Sequence, residues 1–130
     1  SSGRWTLIYF YPKDDTPGCT KEACLISEAY EDFEDLGVSV YGVSKDSPAS
    51  HKQFAEKYNL PFTLLSDESA EMIKAYGAWG EKSMFGKTVG GIKRISYLLD
   101  AEHRVARVYP KVDPASHAIE ILTDIRNLEA

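Results

Sequence analysis

The sequence contains little cysteine and no long apolar run, and each shortage excludes a class of protein. It has two cysteines in 130 residues, Cys19 and Cys24, which cannot supply the four ligands of a structural zinc site. The longest nearly apolar run, Trp5 to Tyr11, is far shorter than the roughly 20 residues that span a bilayer. The spacing of the histidines is not that of metal ligands. We therefore expect no metal, no cofactor and no membrane association.

Positive charge is also scarce. Lys and Arg number 15 against 20 Asp and Glu, so the formal net charge is -5 at neutral pH. Proteins that bind nucleic-acid phosphates need a broad basic surface, and nucleic acid is therefore not an expected partner. The chain does not open with a charged segment followed by an apolar one, as secretory signals do, so we expect a cytoplasmic protein.

Length and composition fit one domain. A chain of 130 residues with 43% hydrophobic and 27% charged residues is long enough to bury a core. Domains usually contain about 100 to 150 residues. We expect residues 1–130 to form a single domain.

The first third of the chain predicts a strand, a helix and a second strand. Trp5 to Tyr11 is typical of a central strand covered on both faces. Thr16 is a good N-cap for a helix predicted from Pro17 to Leu36, which Gly37 ends. Val38 to Ser44 is the second strand, parallel to the first after a right-handed crossover.

The remaining pattern predicts further elements and no repeat or linker. The first three are a helix from Ser47 or Pro48 to Tyr58, a short strand from Phe62 to Leu65, and a helix capped by Ser66 or Asp67 that ends at Ala75 or Tyr76. A mostly irregular stretch from Gly77 to Gly91 follows, and then a hairpin formed by Ile92–Leu99 and His103–Tyr109. Asp113 and Pro114 open a final helix, whose inward residues are Ala118, Ile121 or Leu122, Ile125 and Leu128. This order is that of an α/β domain of the thioredoxin-like type with an insertion near residues 60 to 90. The three histidines, His51, His103 and His117, are expected at the surface.

Cys19 is the third residue of the first predicted helix. Unpaired backbone N–H groups and the positive end of the helix dipole favour a thiolate over a thiol at such a position. A buried cysteine that only packs as a small apolar side chain is the alternative. Helical spacing places Cys19 on the same face as Glu22, Ala23 and Ile26, toward the sheet.

Cys24 lies five residues farther along, on the opposite side of the same helix. In an intact helix the two Cα atoms are roughly 8 to 9 Å apart, whereas a disulfide tolerates about 7 Å. A disulfide between Cys19 and Cys24 would therefore require the first turns to unwind. A disulfide that closes such a short loop would stabilise the folded protein little, and this favours a redox role for the two cysteines. A solvent-facing Cys24 without a role is the alternative.

Residues 9–24, YFYPKDDTPGCTKEAC, resemble the active-site segment of the peroxiredoxins, whose pattern is Pro-x-x-x-Thr-x-x-Cys. The second cysteine is similar to that of the subgroup known as peroxiredoxin Q or bacterioferritin comigratory protein. The resemblance continues through residues 62–67, 79–82 and 91–97. It implies a thioredoxin-like, three-layer α/β/α fold with a mixed central sheet, and a thiol peroxidase that reduces hydrogen peroxide and organic hydroperoxides.

By the same resemblance, Cys19 is the peroxidatic nucleophile, Cys24 is the resolving thiol, and Pro12, Thr16 and Arg94 complete the peroxide site. Chemistry supports these assignments, because a thiolate that attacks a peroxide needs donors for itself and for the departing oxygen. Arg94 carries a permanent charge and several N–H donors. Without the motif, Arg94 would be an ordinary strand arginine, Thr16 an N-cap and Pro12 the end of a strand.

Two neighbouring features carry weaker expectations. The resemblance implies that Glu22 pairs with Arg94, although a first-turn glutamate is also ordinary. Trp79 and Phe85 could flank the active site, but packing in the core or in a lid is the preferred interpretation.

The resemblance also implies the cycle and its partners. Cys19 becomes a sulfenic acid, Cys24 condenses with it, and thioredoxin or a similar dithiol reduces the disulfide. We expect a monomer, with a weak dimer as the alternative. A thioredoxin-like disulfide reductase would usually have C-x-x-C rather than C-x-x-x-x-C, and a copper-binding assembly protein of this fold would place its thiols closer together.

The chain departs from the family at its beginning. Family members usually carry an N-terminal hairpin and an extra strand before the strand at Trp5, and that segment is missing from this sequence. Its loss should expose apolar surface on the sheet. We therefore expect lower thermal stability or some self-association.

Overall fold

The helices and strands of the chain are seen in a computed structural model that describes residues 4–129, apart from the side chains of residues 82–84. In chain order they are β1 (Trp5–Phe10), α1 (Pro17–Glu28), α2 (Tyr30–Asp35), β2 (Val38–Ser44), α3 (Pro48–Tyr58), β3 (Thr63–Ser66), α4 (Glu71–Ala75), β4 (Trp79–Met84), β5 (Lys87–Ile92), β6 (Ser96–Leu99), β7 (Val105–Tyr109) and α5 (His117–Glu129). Within residues 4–129, none of the helices has both the length and the apolar character needed to cross a bilayer.

β1 occupies the centre of a mixed five-stranded sheet whose strand order is β3-β2-β1-β6-β7. β1 pairs in parallel with β2 and antiparallel with β6, and β2 pairs in parallel with β3. Every residue of β1 after Trp5 is buried, which confirms the predicted central strand. Because side chains alternate along a strand, Leu7 and Tyr9 belong to one core while Ile8 and Phe10 belong to the other.

The two faces of the sheet are covered unequally. Helices α1, α2, α3 and α5 contribute Ala23, Ile26, Phe33, Phe54, Ile121, Leu122 and Ile125 to the first core. On the other face, α4 contributes Ile73, next to Ala70 and Ala78. Helix, sheet and helix therefore form three layers, and the expected thioredoxin-like α/β/α fold is confirmed.

The prediction of a single helix from Pro17 to Leu36 is wrong, because the chain bends at Ala29 and forms two helices, α1 and α2. Ala29 has φ -92° and ψ 5°, outside the regular helical region. Its N–H still bonds to the Leu25 carbonyl, and the Phe33 N–H bonds to the Ala29 carbonyl. Hydrogen bonding and the apolar spacing continue across the bend, so the pattern predicted one helix.

The predicted irregular stretch from Gly77 to Gly91 is wrong, since β4 and β5 form an antiparallel hairpin there. Its turn uses positive φ at Phe85 (51°) and Gly86 (77°), as two-residue hairpin turns require. A Cβ at Gly90 would lie 2.3 Å from the Trp79 ring, so a glycine is needed where that ring packs. The Phe85 side chain is 98% exposed, and the preferred core or lid packing is therefore wrong for this residue.

Several predicted boundaries also differ. The strand predicted at Ile92–Leu99 is divided, because β5 ends at Ile92 and β6 begins at Ser96. Ser66 or Asp67 was predicted to cap the next helix, but α4 begins only at Glu71. The Asp67 carboxylate accepts a hydrogen bond from the Ile73 N–H at 2.7 Å across a longer turn.

The final helix begins later than predicted, and one of its expected core residues lies outside. The Asp113 carboxylate and carbonyl accept hydrogen bonds from the N–H groups of Ala115 and His117, which form a turn before α5. Leu128 is exposed and not inward, because it lies near the helix end, beyond the last residue buried against the sheet, Ile125.

The expectation of surface histidines holds for His103 and is wrong for the other two. His51 and His117 are 5% and 1% exposed. Each of them is hydrogen-bonded to groups distant in sequence, Asp14 for His51 and Ser96 for His117, and these contacts compensate the burial of a polar ring.

The orientation of α5 can be tested by two substitutions of the same kind. Ile125 is 0% exposed and Ile119, on the same helix, is 71% exposed. We expect Ile125→Ala to lower the free energy of unfolding by about 2–5 kcal/mol, because it leaves a cavity in the core. Ile119→Ala should change it by about 0.5 kcal/mol or less. Urea denaturation of both variants measures the difference, and equal losses would contradict this orientation.

Candidate active site

Cys19 lies in the first turn of α1, with its side chain 1% exposed in the core beneath the helix. The Arg94 guanidinium reaches it from a point 75 residues farther along the chain, and Nη2 of Arg94 donates to the Cys19 Sγ at 3.1 Å. A permanent cation at this distance can interact with negative charge on the sulfur.

The backbone brings Arg94 to this place through the end of β1. Arg94 lies in the short connection between β5 and β6, and the next carbonyl, that of Ile95, accepts a hydrogen bond from the Phe10 N–H at 2.9 Å. Gly18 leaves room for the guanidinium, because a Cβ there would lie 2.8 Å from Nη2 of Arg94. The glycine before Cys19 thus permits the contact.

Glu22 holds the same guanidinium from the other side. Its Oε1 accepts from Nη1 of Arg94 at 3.1 Å, so the pair implied by the resemblance is confirmed. Burial raises the pKa of Glu22 to about 7, although the Arg94 charge acts in the opposite direction. Within the described residues, Oε2 of Glu22 has no hydrogen-bond partner.

Thr16 and Pro12 lie on the loop that joins β1 to α1. The Thr16 carbonyl accepts the Thr20 N–H and starts α1, while its hydroxyl donates to the Lys13 carbonyl at 2.8 Å. Thr16 is therefore the predicted N-cap by position, but its side chain does not cap the helix. Pro12 is exposed. Among residues 4–129, the direct partner of the thiol is Arg94, and neither Thr16 nor Pro12 hydrogen-bonds to it.

Cys24 lies one turn and a half farther along α1 and is half-buried. Burial raises its pKa, and the nearby Glu28 carboxylate raises it further. Both cysteines are free thiols, and α1 is continuous between them. The two thiols therefore differ in environment, since Cys19 faces a guanidinium and Cys24 faces a carboxylate.

A second polar cluster lies behind the loop and was missed by the sequence analysis. Asp14, Asp46 and His51 place their ligand-type atoms within 4.8 Å of one another, as a metal site would require. The His51 ring already hydrogen-bonds to the Asp14 carboxylate, and the Asp46 carboxylate accepts from the Asp14 backbone N–H, which suits a polar network better than a metal ion. The helical spacing of His51 and Phe54 on one face of α3 was the available signal.

A third cluster has the residue types of a hydrolase triad without access to substrate. Nε2 of His117 lies 2.8 Å from the Ser96 Oγ, and its Nδ1 lies 3.3 Å from a Glu120 oxygen. Burial lowers the pKa of His117, which favours the neutral ring. Since Ser96 is 0% exposed, this cluster ties α5 to β6 and cannot bind a substrate.

Comparisons with known proteins agree with one another. A family model described as the AhpC/TSA family matches residues 1–108. The chain is 45% identical over 115 residues to peroxiredoxin Bcp of Escherichia coli, covering 88% of this chain and 74% of that protein. It is 41% identical over 126 residues to peroxiredoxin Bcp of Bacillus subtilis, covering 97% and 80%.

A solved structure shows the same arrangement of the chain. The bacterioferritin comigratory protein of Xanthomonas campestris, whose alkyl peroxide reduction activity has been examined structurally, superimposes with a TM-score of 0.95. It is 38% identical in sequence, and the match covers 99% of this chain and 82% of that one.

The buried carboxyl of Glu22 predicts a pH-dependent stability. Because its pKa is higher in the folded state than the ordinary value of 4.5, the folded state loses stability as the pH rises from about 4.5 to about 7. Relative to Glu22→Gln, we expect the free energy of unfolding of the parent protein to fall by on the order of 1–3 kcal/mol over that window. Denaturant melts across this range measure the difference, and parallel profiles for the two proteins would contradict a buried, high-pKa Glu22.

Proposed function

This chain belongs to the AhpC/TSA family and is a thiol-dependent peroxidase of the peroxiredoxin type, and on that premise we propose that Cys19 is the thiolate that attacks the peroxide. One observation carries the proposal, the 3.1 Å contact between the Arg94 guanidinium and the Cys19 sulfur. A guanidinium stabilises the thiolate and keeps other N–H donors for the oxygen atoms of the substrate.

The first step oxidises Cys19 and reduces the peroxide. The thiolate sulfur attacks one peroxide oxygen, an S–O bond forms and the O–O bond breaks. The second oxygen leaves with the bonding electrons and takes up a proton, giving water or an alcohol, while Cys19 becomes a sulfenic acid. Arg94 stabilises the negative charge that develops on the departing oxygen, and Glu22 keeps Arg94 in place.

Thr16 and Pro12 form the loop side of the proposed peroxide site. The Thr16 hydroxyl donates its proton to the Lys13 carbonyl. The lone pairs of the Thr16 hydroxyl oxygen can therefore accept a hydrogen bond from the O–H of a hydroperoxide. Pro12 is exposed and has no N–H to offer, and we propose that it limits the access of water to the site. Hydrogen peroxide and organic hydroperoxides are the proposed substrates, in keeping with the alkyl peroxide reduction of the Xanthomonas campestris relative.

Cys24 is proposed to resolve the sulfenic acid. Its thiolate attacks the Cys19 sulfur, an S–S bond forms and the S–O bond breaks. The oxygen leaves as hydroxide and takes up a proton from solvent to give water. The first turns of α1 must unwind for the two sulfurs to meet, beginning with the turn of residues 17–20. Within that turn Pro17 is exposed, Gly18 has no side chain, and Cys19 is the residue that is buried, so few contacts oppose unwinding.

A dithiol protein of the thioredoxin type then reduces the disulfide by thiol exchange, and we propose thioredoxin itself as that partner. Because both cysteines must return to thiols, we propose the cytoplasm as the location. We further propose a monomer, with at most a weak dimer, made of one domain over residues 1–130.

The two alternative functions have less support. A disulfide reductase or a copper-binding protein would pair the nucleophilic sulfur with a second thiol or an imidazole. The direct partner of Cys19 among the described residues is instead Arg94.

Replacement of Arg94 tests the first step. We expect Arg94→Ala to lower the second-order rate constant for hydrogen peroxide by about 10²–10³-fold, the usual effect of removing one donor to a developing oxygen charge. Arg107→Ala, at an exposed position in β7, is the matched control and should keep the parent rate. Stopped-flow mixing of the reduced proteins with peroxide gives the rates, with Cys19→Ser as the inactive reference. A parent-like rate in Arg94→Ala would refute the role of Arg94.

Replacement of Cys24 tests the second step separately. We expect Cys24→Ser to react with one equivalent of hydrogen peroxide at the parent rate, because Cys24 takes no part in the attack. The variant should then accumulate a sulfenic acid that dimedone traps, and it should fail to turn over with thioredoxin. Mass spectrometry measures the adduct. Sustained turnover with thioredoxin by Cys24→Ser would exclude Cys24 as the resolving thiol.

A further inference from the structure

We propose that Asp14 and His51 form a buried charged pair that positions the loop of residues 12–16 beside Cys19 and makes the peroxidase rate fall at alkaline pH, when His51 loses its proton. The inference rests on the proposed function, because it concerns the loop that borders the peroxide site. Both residues are positioning residues, since neither contacts the Cys19 sulfur.

Asp14 is bound on several sides although it lies in a loop. The Tyr11 hydroxyl donates to Oδ1 at 2.5 Å, and the Ser50 hydroxyl donates to Oδ2 at 2.8 Å. The His51 Nδ1 lies 2.7 Å from the same Oδ2. The backbone N–H of Asp14 donates to the Asp46 carboxylate at 2.8 Å. A carboxyl that accepts this many hydrogen bonds is held in its ionised form.

The surroundings of His51 indicate a doubly protonated ring. Its Nδ1 faces the Asp14 carboxylate, and its Nε2 lies 3.1 Å from the Leu65 carbonyl oxygen. Neither of these partners can donate a hydrogen. The Tyr11 hydroxyl also lies 3.3 Å from Nδ1, but it donates its proton to the closer Oδ1 of Asp14, so both ring nitrogens must carry a hydrogen. Asp14 and His51 are therefore a carboxylate and an imidazolium, 4% and 6% exposed at the side chain. The pair links the loop to α3 and β3 at once.

A second attachment joins the same loop to the end of α3. Asp15, with φ 57°, accepts from the Lys57 ammonium and from the Tyr58 hydroxyl, both at 2.7 Å. This attachment is exposed, so water and salt weaken it. The buried pair carries more of the positional constraint, because loss of one partner leaves a buried polar group unpaired.

The loop position matters because α1 starts directly from it. The Thr16 carbonyl accepts the Thr20 N–H, and Cys19 follows in the same turn. If this turn unwinds to form the disulfide, the loop before it stays attached to α3. The helical turn can then re-form from the same starting position after the disulfide is reduced. A shift of about 1 Å in reacting groups can reduce a rate by about 100-fold.

The groups around His51 act on its pKa in opposite directions. Burial lowers the pKa of His51, but the hydrogen bond and charge of Asp14 outweigh it and raise that pKa above the ordinary 6.5. Among the residues that the structure describes, the other ionisable groups that face the pair are Tyr11, directly after β1, and the Asp46 carboxylate, after β2. Burial and Asp14 raise the pKa of Tyr11 far above 10, so its phenol stays neutral. His51 therefore stays charged to a higher pH than a free imidazole, and its loss of a proton is the charge change that the proposal requires.

The test compares the parent protein with Asp14→Asn over pH 6–9.5, measured as single-turnover peroxide reduction by the prereduced proteins. In the parent, we expect the rate to fall about tenfold or more on the alkaline side. In Asp14→Asn, a neutral His51 can accept from the Asn amide and still donate to Leu65, so the alkaline fall should disappear. His103→Asn, which removes an exposed histidine, is the matched control and should retain the parent profile.

Nuclear magnetic resonance of the parent protein gives an independent readout. With ¹⁵N-labelled histidine, we expect both His51 ring nitrogens to be protonated at pH 7 and one to lose its proton over the pH range of the rate decrease. A single protonated nitrogen at pH 7, no alkaline fall, or an identical fall in Asp14→Asn would each overturn the inference. Those results would leave the proposed function intact, which fails instead if Cys19→Ser still reduces peroxide.

Discussion

The hydrogen bond from Arg94 to the sulfur of Cys19 is the contact on which the rest of the site depends. It joins the start of α1 to the connection between β5 and β6, and it exists because β1 and β6 are neighbours in the sheet. Gly18 leaves space for the guanidinium, and the buried Glu22 carboxyl holds it from the opposite side. A cation, an acid and a thiol are thus packed in a poorly hydrated place, where their electrostatic interactions are stronger than in water.

The two thiols have opposite surroundings although they share one helix. Cys19 is buried and faces a cation, whereas Cys24 is half-buried beside Glu28, which helps to keep it a neutral thiol. This contrast supports the proposal that Cys19 attacks the peroxide and that Cys24 reacts only afterwards, with the sulfenic acid. The loop before α1 is attached to α3 by buried and exposed contacts, so the start of the helix can unwind while the loop keeps its place.

The sequence predicted the parts of the fold that depend on local pattern. The apolar run of β1 and the helical spacing after Thr16 were sufficient for the central strand and for the buried face of α1. The strands of the β4–β5 hairpin were not predicted, because Gly80, Gly90 and Gly91 interrupt the alternation of side chains by which strands are recognised. The bend at Ala29 was not predictable from the sequence pattern either, since both the hydrogen bonding and the apolar spacing continue across it.

The candidate site was predictable only where a motif carried the information. Cys19 and Arg94 follow from the resemblance, but the contact of His51 with Asp14 joins residues 37 positions apart and depends on the packing of α3 against the loop. The most direct test of the account measures the thiolate absorbance of Cys19 near 240 nm at pH 7, in the Cys24→Ser protein with and without Arg94→Ala. The account predicts a large thiolate fraction that decreases clearly when Arg94 is removed. An equal fraction in the two proteins would contradict it.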